Sequence, residues 1–383
     1  MTASSTDSPL TSGSLRPRPS SDAAEVALRH VAAWSAGLIE TLPEVGPDVA
    51  ERFVGAAERE RVLGLVLVAI DRGDLVLTDE LVQRVESGHQ EAMRWCLRVE
   101  RRILEIHDWF EAAGVRRWLV LKGAACAHLD EPDPSLRAFA DVDLLIAGDE
   151  LDLAISVLEA HEVQRRIPQR RPGFDRRIGK SVGMKSADEV EVDVHRTLAT
   201  GGLGARIPLD RLFDRPETFQ LAGTPIRALA RHHRALHAAY HSVIHTPVPD
   251  LRSIRDLGAH LADSDHDLSP LISEAQRWRG TTVLRQAVEA TLEMLPIDVP
   301  GWRAWVNTTE PDPRDLVLVQ RTWQLDTALV DRGLLTELGL LDRMRYLVAV
   351  AAPSKELLAY RGESQLGRIR TGTRRWIAGA RRG

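Results

Sequence analysis

The segment EVEVDVH, residues 189–195, most constrains how this chain can fold, because its polar and apolar residues alternate strictly. On a β-strand, successive side chains point to opposite faces of the sheet. The three valines of the segment therefore share one face, and the opposite face carries Glu191, Asp193 and His195. This pattern predicts a strand with one buried face and one polar face.

A second segment, DVDLLI, places Asp141 and Asp143 two residues apart at the start of an apolar run. On a strand, their side chains project from the same face. If this strand neighbours the alternating one, the carboxylates of Asp141, Asp143 and Asp193 converge. Crowded carboxylates repel one another unless a cation compensates them. Mg²⁺ binds carboxylate oxygens and leaves positions for water and phosphates, so the sequence predicts a magnesium site, with room for two ions.

The rest of the chain is mainly helical in pattern. From residue 23 to 113, and again from residue 226, apolar residues recur every three or four positions. We expect strands at 118–121, 141–146, near 181–184 and at 189–195. A helix is expected at 228–244, and residues 296–313 read as a loop.

The expected fold class is α+β, with a small mixed β-sheet core flanked by N- and C-terminal helical regions. The predicted division is a disordered tail at 1–22, a helical region at 23–113, the core at 114–225, a helical region at 226–360 and a basic tail at 361–383.

Composition narrows the class of protein. The formal net charge of -5 disfavours wholesale nucleic-acid binding. Two cysteines make no disulfide framework, which predicts a reducing, cytoplasmic setting. The longest apolar run, at 62–70, is too short to span a bilayer, so no transmembrane segment is expected.

The order of these motifs resembles a known family. LKG at 121–123, then LRAFADVDLL at 136–145, then EVDVHRTL at 191–198 is similar to the nucleotidyltransferase superfamily with the DNA polymerase beta-like fold. Within it, the chain resembles the uncharacterised nucleotidyltransferases. The segment 232–257, with its histidines and its Arg-Asp-Leu sequence, is also similar to that group.

The resemblance implies a metal-dependent enzyme that moves a nucleoside monophosphate from an NTP, ATP included, to a hydroxyl or phosphate acceptor. The acceptor is a small molecule, a peptide or a protein. The implied site residues fall into three sets. The catalytic and metal-binding residues are Asp141, Asp143 and Asp193; the nucleotide-binding residues are Lys122, Gly123, Ala124 and Arg137; supporting residues on the β-strand face are Glu191 and His195. No sequence pattern specifies the base, the acceptor or the oligomeric state.

One departure keeps alternatives open. Better-known superfamily members have Gly-Ser in the first motif, whereas here Gly123 is followed by Ala124, so a phosphate-binding hydroxyl is missing. A catalytically inactive binding or scaffold protein is therefore one alternative. An RNA-directed transferase is another, because the segment 165–185 and the C-terminal tail are rich in basic residues.

Histidines at 233, 237, 241 and 245 recur every fourth residue on the expected helix. Two histidines at this spacing can bind zinc, but the glutamate of the HExxH motif is absent. The favoured interpretation is a helix that packs beside the nucleotide site or carries a partly buried polar seam.

Overall fold

The computed structural model describes residues 20–244, 246–323 and 327–364. Most of the expected N-terminal tail, His245 of the histidine series and residues 365–383 of the basic tail lie outside the described residues.

Seven strands form one mixed sheet: β1 Trp118–Val120, β2 Asp141–Ile146, β3 Gln164–Arg165, β4 Ser181–Lys185, β5 Glu191–His195, β6 Glu217–Leu221 and β7 Thr224–Ala228. Their order across the sheet is β3-β4-β5-β2-β1-β7-β6. The β2–β5 and β1–β7 pairs are parallel, and the other neighbours are antiparallel. The predicted α+β class with a mixed sheet is confirmed, although the sheet has more strands than we expected.

In the sequence, helices precede the first strand of the sheet and follow the last one. In chain order they are α1 Ala23–Ser35, α2 Pro47–Glu60, α3 Leu63–Asp71, α4 Asp79–Ala113, α5 Ala124–Leu129, α6 Leu151–Ala160, α7 Phe174–Arg177, α8 Gly201–Ala205, α9 Arg231–Val243, α10 Leu251–Ser264, α11 Ser269–Arg277, α12 Thr281–Met294, α13 Pro300–Thr308, α14 Pro313–Trp323, α15 Thr327–Glu337, α16 Leu340–Ala351 and α17 Lys355–Arg361. Within the described residues, no helix combines the length and apolar character needed to cross a bilayer.

Two sequence expectations are wrong. The expected helix at 228–244 is present as α9, but its predicted start is wrong: it begins at Arg231, because β7 extends to Ala228 and pairs with β6 in a hairpin. A two-residue turn, Ala222-Gly223, joins the strands with positive φ at both positions, a geometry that matches the twist of a tight hairpin. The segment 296–313 is not only a loop: it contains α13, and Pro300 occupies a first-turn position where its missing N–H costs nothing.

Burial explains how the flanking helices hold the sheet. One buried cluster joins side chains of α1–α4 to those of α9–α12 and to Leu119 and Leu145 of the sheet. A second cluster packs α4, α5 and α6 against the sheet strands. The two sequence-distant helical regions therefore share a hydrophobic core, whose burial is the main stabilising contribution.

The long helix α4 positions the start of β2. Trp95 Nε1 donates a hydrogen bond of 2.8 Å to the carbonyl oxygen of Ala140. The backbone N–H of Phe139 donates to Cys96 Sγ at 3.3 Å, and the thiol in turn donates to the carbonyl of Phe139 at the same distance. These contacts hold the backbone immediately before Asp141.

Candidate active site

The candidate site lies where β2 and β5 run side by side. The two strands are parallel, and Asp143 is the register partner of Asp193. The apolar side chains between the aspartates are buried: Val142 is 1 % exposed and Val192 and Val194 are 0 % exposed. Because alternate residues face opposite ways, burying the valines turns the acidic side chains to the other face. The strand pairing that the sequence hypothesis requires is therefore present.

His195 connects the two aspartates. Its Nε2 atom lies 3.0 Å from Asp143 Oδ1 and 3.1 Å from Asp193 Oδ2. The imidazole and the Asp143 side chain are each 3 % exposed, whereas Asp193 is 36 % exposed. The site therefore has a closed end at Asp143 and an open end at Asp193.

The surrounding charges control ionisation of this cluster. Burial opposes ionisation of Asp143, but the hydrogen bond with His195 and the charge of Lys122 hold the pKa of that carboxyl well below its usual range. Burial likewise opposes the charged form of Asp193, whose pKa the contact with His195 lowers. Burial also disfavours the charged imidazole, but the two aspartates raise the pKa of His195. The ionised carboxylates of Asp143 and Asp193 are thus stabilised by the positive charge that they share at His195.

Asp141 differs from the other two aspartates. Burial, and then repulsion by Asp143, raises its pKa, and Lys122 only partly counteracts the rise. No ion pair to the Asp141 carboxylate is formed among the described residues, and additional positive charge at this point would stabilise its ionised form.

Lys122 reaches the cluster from the end of β1. Its Nζ lies 3.3 Å from Asp143 Oδ2. Burial disfavours the ammonium, but the charges of Asp143 and Asp141 raise its pKa, so the amine stays charged. The next residue, Gly123, has φ 59° and ψ −115°, and a Cβ there would lie 3.3 Å from Cβ of Phe139. Glycine is needed here because both the backbone conformation and the neighbouring side chain disfavour a larger residue.

Some backbone N–H groups after Gly123 already form hydrogen bonds within the protein. Ala124 begins α5, and the N–H of Ala125 donates to the carbonyl of Lys122 at 3.3 Å. That amide is consequently engaged within the turn, and Ala124 contributes no hydroxyl. The predicted role of Gly123 and Ala124 in holding phosphate stays a prediction that depends on the amides of those two residues.

Two of the expected site residues have partners elsewhere. Arg137 is buried, and its Nη2 lies 2.5 Å from Asp256 Oδ2 of α10. Glu191 is exposed, and Oε1 of its side chain accepts from Arg166 Nη1 at 2.9 Å. Neither residue belongs to the compact group formed by Asp143, Asp193 and His195. Their predicted roles toward nucleotide and strand support remain untested.

The structure also brings Lys180 and His237 to the site. Lys180 precedes β4; burial lowers its pKa, and the strongest carboxylate acting on its amine is Asp193. His237 of α9 is 5 % exposed, and burial followed by the charge of Lys122 keeps its pKa well below the usual value. The sequence grouped Lys180 only with a basic connection. For the helix that carries His237 it left two interpretations open, packing beside the nucleotide site and a partly buried polar seam.

The donor set is suited to a divalent cation. Ligand atoms of Asp143, Asp193 and His195 lie within 4.8 Å of one another. Two carboxylates provide the hard oxygen ligands that Mg²⁺ prefers, and the unsatisfied charge of Asp141 lies beside them. The residues present therefore fit a magnesium site, with Asp141 adding a third carboxylate.

A second group, His232, His233 and Glu274, has the same spacing of ligand atoms. Glu274 already accepts hydrogen bonds from Arg277 at 2.7 Å and from Trp278 at 3.0 Å. Its carboxylate is thus neutralised by a cation and fixed by an indole, as in a structural polar seam. This arrangement disfavours the zinc interpretation of the histidine series.

Comparison with known proteins gives one family. The family described as "Uncharacterised nucleotidyltransferase" matches residues 47–296 of the chain. The match includes the whole sheet, α2–α4 before it and α9–α12 after it. Comparison with curated proteins found no significant match.

Proposed function

The chain belongs to this family of uncharacterised nucleotidyltransferases, and from that premise we propose that it is an active, magnesium-dependent enzyme that transfers a nucleoside monophosphate from an NTP to an acceptor hydroxyl or phosphate. Family membership supports the transferase class. The metal, the direction of transfer and the site residues are the content of the proposal.

One observation carries the proposal: Asp143 and Asp193 are register partners on parallel strands, and Lys122 lies 3.3 Å from the first of them. Several carboxylates on one half-buried surface repel one another, which is unfavourable unless a bound cation compensates their charge. Carboxylates with perturbed pKa values beside a charged lysine are typical of functional sites.

Asp141, Asp143 and Asp193 would hold Mg²⁺. When bound, the ion neutralises charge on the triphosphate and lowers the pKa of an acceptor hydroxyl. His195 orients the carboxylates of Asp143 and Asp193 through its Nε2 contacts. Because Asp143 is nearly inaccessible, this closed end excludes water from the reacting phosphate.

The reaction we propose is an in-line displacement. The acceptor oxygen forms a bond to the α-phosphorus, the bond from that phosphorus to the bridging oxygen breaks, and pyrophosphate leaves. Asp193, the most exposed of the paired aspartates, takes the acceptor proton. Lys122 and Lys180 provide positive charge for the triphosphate and the leaving pyrophosphate.

A binding protein without turnover is the competing function. Its support is the Gly123-Ala124 motif, which lacks a hydroxyl and engages the following amide internally. Magnesium-dependent NTP binding with no pyrophosphate release would identify that function. The presence of all three aspartates favours the enzyme.

The test is pyrophosphate release from each of the four NTPs with Mg²⁺, in the presence of pooled small-molecule, peptide and protein acceptors. Asp143→Asn, which keeps the side-chain shape, should lower turnover by at least about 10²-fold. Asp152→Asn is the matched control, since Asp152 is on α6 and pairs with Arg176 at 3.3 Å. Chelation of the metal should abolish turnover in the wild type, and Mg²⁺ should restore it.

Turnover that survives Asp143→Asn or chelation would refute the proposed chemistry. An unchanged urea-unfolding curve for Asp143→Asn would show that its lost activity does not result from misfolding.

A further inference from the structure

Helix α16 exposes a concentrated set of apolar side chains. Of the twelve large apolar residues that are exposed in the described part of the chain, five lie on this helix. They are Leu340 at 76 %, Leu341 at 71 %, Met344 at 55 %, Leu347 at 45 % and Val348 at 46 % exposed. Single exposed apolar residues are common on protein surfaces, but a contiguous exposed group is typical of an interaction site.

These five side chains share one face of the helix. An α-helix turns by about 100° per residue, so they fall within a sector of about 120°. The opposite face carries Tyr346 and Ala349, which are buried. The ring centroids of Tyr346 and of Phe174 in α7 are 6.2 Å apart. One face of α16 therefore packs against the protein, while the apolar face is directed to solvent.

An arginine stands on each border of the apolar face. At about 100° per residue, Arg343 lies about 40° from one edge of the sector and Arg345 about 40° from the other. Arg343 donates from Nε to the carbonyl oxygen of Leu338 at 2.8 Å, which fixes the guanidinium and leaves its charge in place. Arg345 pairs at 2.7 Å with Asp342, which lies on the side of the helix away from the apolar face. The apolar face is thus bordered by cations on both sides.

Part of the basic segment 165–185 is joined to the C-terminal end of α16. The backbone N–H of Ser354, between α16 and α17, donates to the carbonyl oxygen of Arg170 at 2.6 Å. Arg171 donates from Nη1 to the carbonyl oxygen of Ala352. The Arg171 side chain is exposed and forms no ion pair within the described residues. These contacts add an uncompensated positive charge beside the helix.

Formal charge is distributed unevenly along the chain. Residues 340–383 contain ten arginines and lysines against three aspartates and glutamates, a formal charge of +7. The whole chain carries -5, so the residues before 340 carry -12. Six of the ten basic residues occur in segment 365–383, whose sequence has no acidic residue. The apolar face therefore belongs to a basic part of an otherwise acidic chain.

We propose that the apolar face of α16 docks on the surface of a membrane that contains anionic lipids. The apolar side chains enter the boundary between headgroups and acyl chains, and the bordering arginines bind the lipid phosphates. Arginine suits these borders because its apolar stem packs along the same boundary while its charged end stays at the headgroups. Helix α16 lies outside the matched residues 47–296, so this inference does not depend on the proposed transferase function.

Other occupants match only part of this surface. A second copy would bring two regions of charge +7 together, and segment 365–383 has the same sign of charge as the arginines of α16, so both contacts are repulsive. An RNA would neutralise the arginines but leave the apolar side chains in water. Because the arginines stand on both borders of a helix face, a planar anionic surface meets both of them together with the apolar side chains.

The probe is a phosphatidylcholine vesicle with about 30 % phosphatidylserine, mixed with the full chain at about 0.15 M salt and separated by flotation. The double variant Leu341→Gln, Leu347→Gln should lower the partition coefficient by at least about tenfold, because two apolar side chains no longer enter the interface. The matched control Val76→Gln, Leu97→Gln changes two exposed apolar side chains on other elements and should alter it less than about twofold.

The arginines are tested separately. Arg345→Gln should lower partitioning by about fivefold, as expected for one positive charge at an anionic surface. Arg59→Gln, at an exposed position of α2, should change it less than about twofold. Vesicles of phosphatidylcholine alone should bind the wild type at least about tenfold more weakly than the anionic vesicles.

Three results would overturn the proposal: no binding of the wild type to anionic vesicles, equal binding of the wild type and the double leucine variant, or equal binding to neutral and anionic vesicles. Light scattering that shows a dimer of the wild type, lost in the double leucine variant, would assign the face to a second copy instead. Both leucines are exposed, so matching urea-unfolding curves should show that the variant is folded.

Discussion

Nε2 of His195 lies 3.0 Å from Oδ1 of Asp143, and the same nitrogen lies 3.1 Å from Oδ2 of Asp193. One imidazole thus contacts carboxylates on two strands, in a position where a cation relieves their repulsion. Its other ring nitrogen, Nδ1, is buried and has no hydrogen-bond partner in the described part of the chain, so the ring orientation depends on these two contacts.

His195→Ala should leave two neighbouring carboxylates without their shared partner. We expect a loss of about 3 kcal/mol in the free energy of unfolding in metal-free buffer, since removing one partner of a buried charged group is costly. Mg²⁺ should restore more stability to the variant than it adds to the wild type. Urea unfolding with and without Mg²⁺ measures both effects, and equal metal responses in the two proteins would argue against a cation at these carboxylates.

Lys180→Met should weaken binding of Mg²⁺-NTP by about tenfold or more, because a charge-assisted contact to phosphate is lost while the apolar stem remains. Lys185→Met is the matched control at the far end of β4, since Lys185 is paired with Glu189. Fluorescence titration with each NTP measures the change. Equal affinities for both variants would remove Lys180 from the proposed nucleotide site.

Arg137→Met should destabilise the fold by about 3–5 kcal/mol, because Asp256 would keep a buried charge without its partner. The double variant Arg137→Met, Asp256→Leu should recover most of this loss, since two apolar side chains replace the ion pair. Chemical unfolding of the single and double variants gives the comparison. If the double variant is stable but binds NTP at least tenfold more weakly, the nucleotide-binding role predicted from sequence is supported instead.

Acid should destabilise the protein through His233. Burial, and then the neighbouring His232, lowers the pKa of this histidine to about 4, despite the opposing charge of Glu274. In the unfolded chain a histidine has a pKa of about 6.5, so between pH 6.5 and 4 the unfolded state binds more protons. Stability should fall as pH falls through this window, by about 3 kcal/mol from this residue.

His233→Asn should flatten that part of the pH dependence, because asparagine does not titrate. His260, whose pKa burial also lowers to about 4, will retain part of the slope, so the measured quantity is the difference between the two proteins. His161→Asn, at an exposed position, is the control. Identical slopes for wild type and His233→Asn would contradict the prediction.

The parts of the fold that the sequence predicted are those with a strong local period. The strands around Asp141 and Asp193 were predicted from apolar runs and alternation, and both are present in the sheet. The hairpin of β6 and β7 was missed because its turn is Ala-Gly rather than a stronger turn pair. The helix α13 was missed because its prolines, which stand at and before the helix start, resemble loop residues.

For the candidate site, too, only the features that follow from local strand periodicity could be predicted from the sequence. The convergence of the aspartates followed from strand periodicity and the assumption that the two strands are neighbours. The partner of Arg137 did not follow, because Asp256 is 119 residues away on a helix whose packing no local pattern specifies. The approach of Lys180 to Asp193 likewise depends on the antiparallel pairing of β4 with β5.

The amino-acid sequence by itself determined which side chains share a face, since alternation on a strand is a property of the local backbone. It determined in this way that Asp141 and Asp143 point together and that Asp193 opposes the valines of its own strand. Only the tertiary structure decided that β5 lies against β2, that His195 joins their aspartates and that Arg137 pairs with Asp256. These contacts depend on burying apolar surface between segments far apart in the chain. The free energy of that burial arises only when the segments pack together, so no local sequence pattern specifies it.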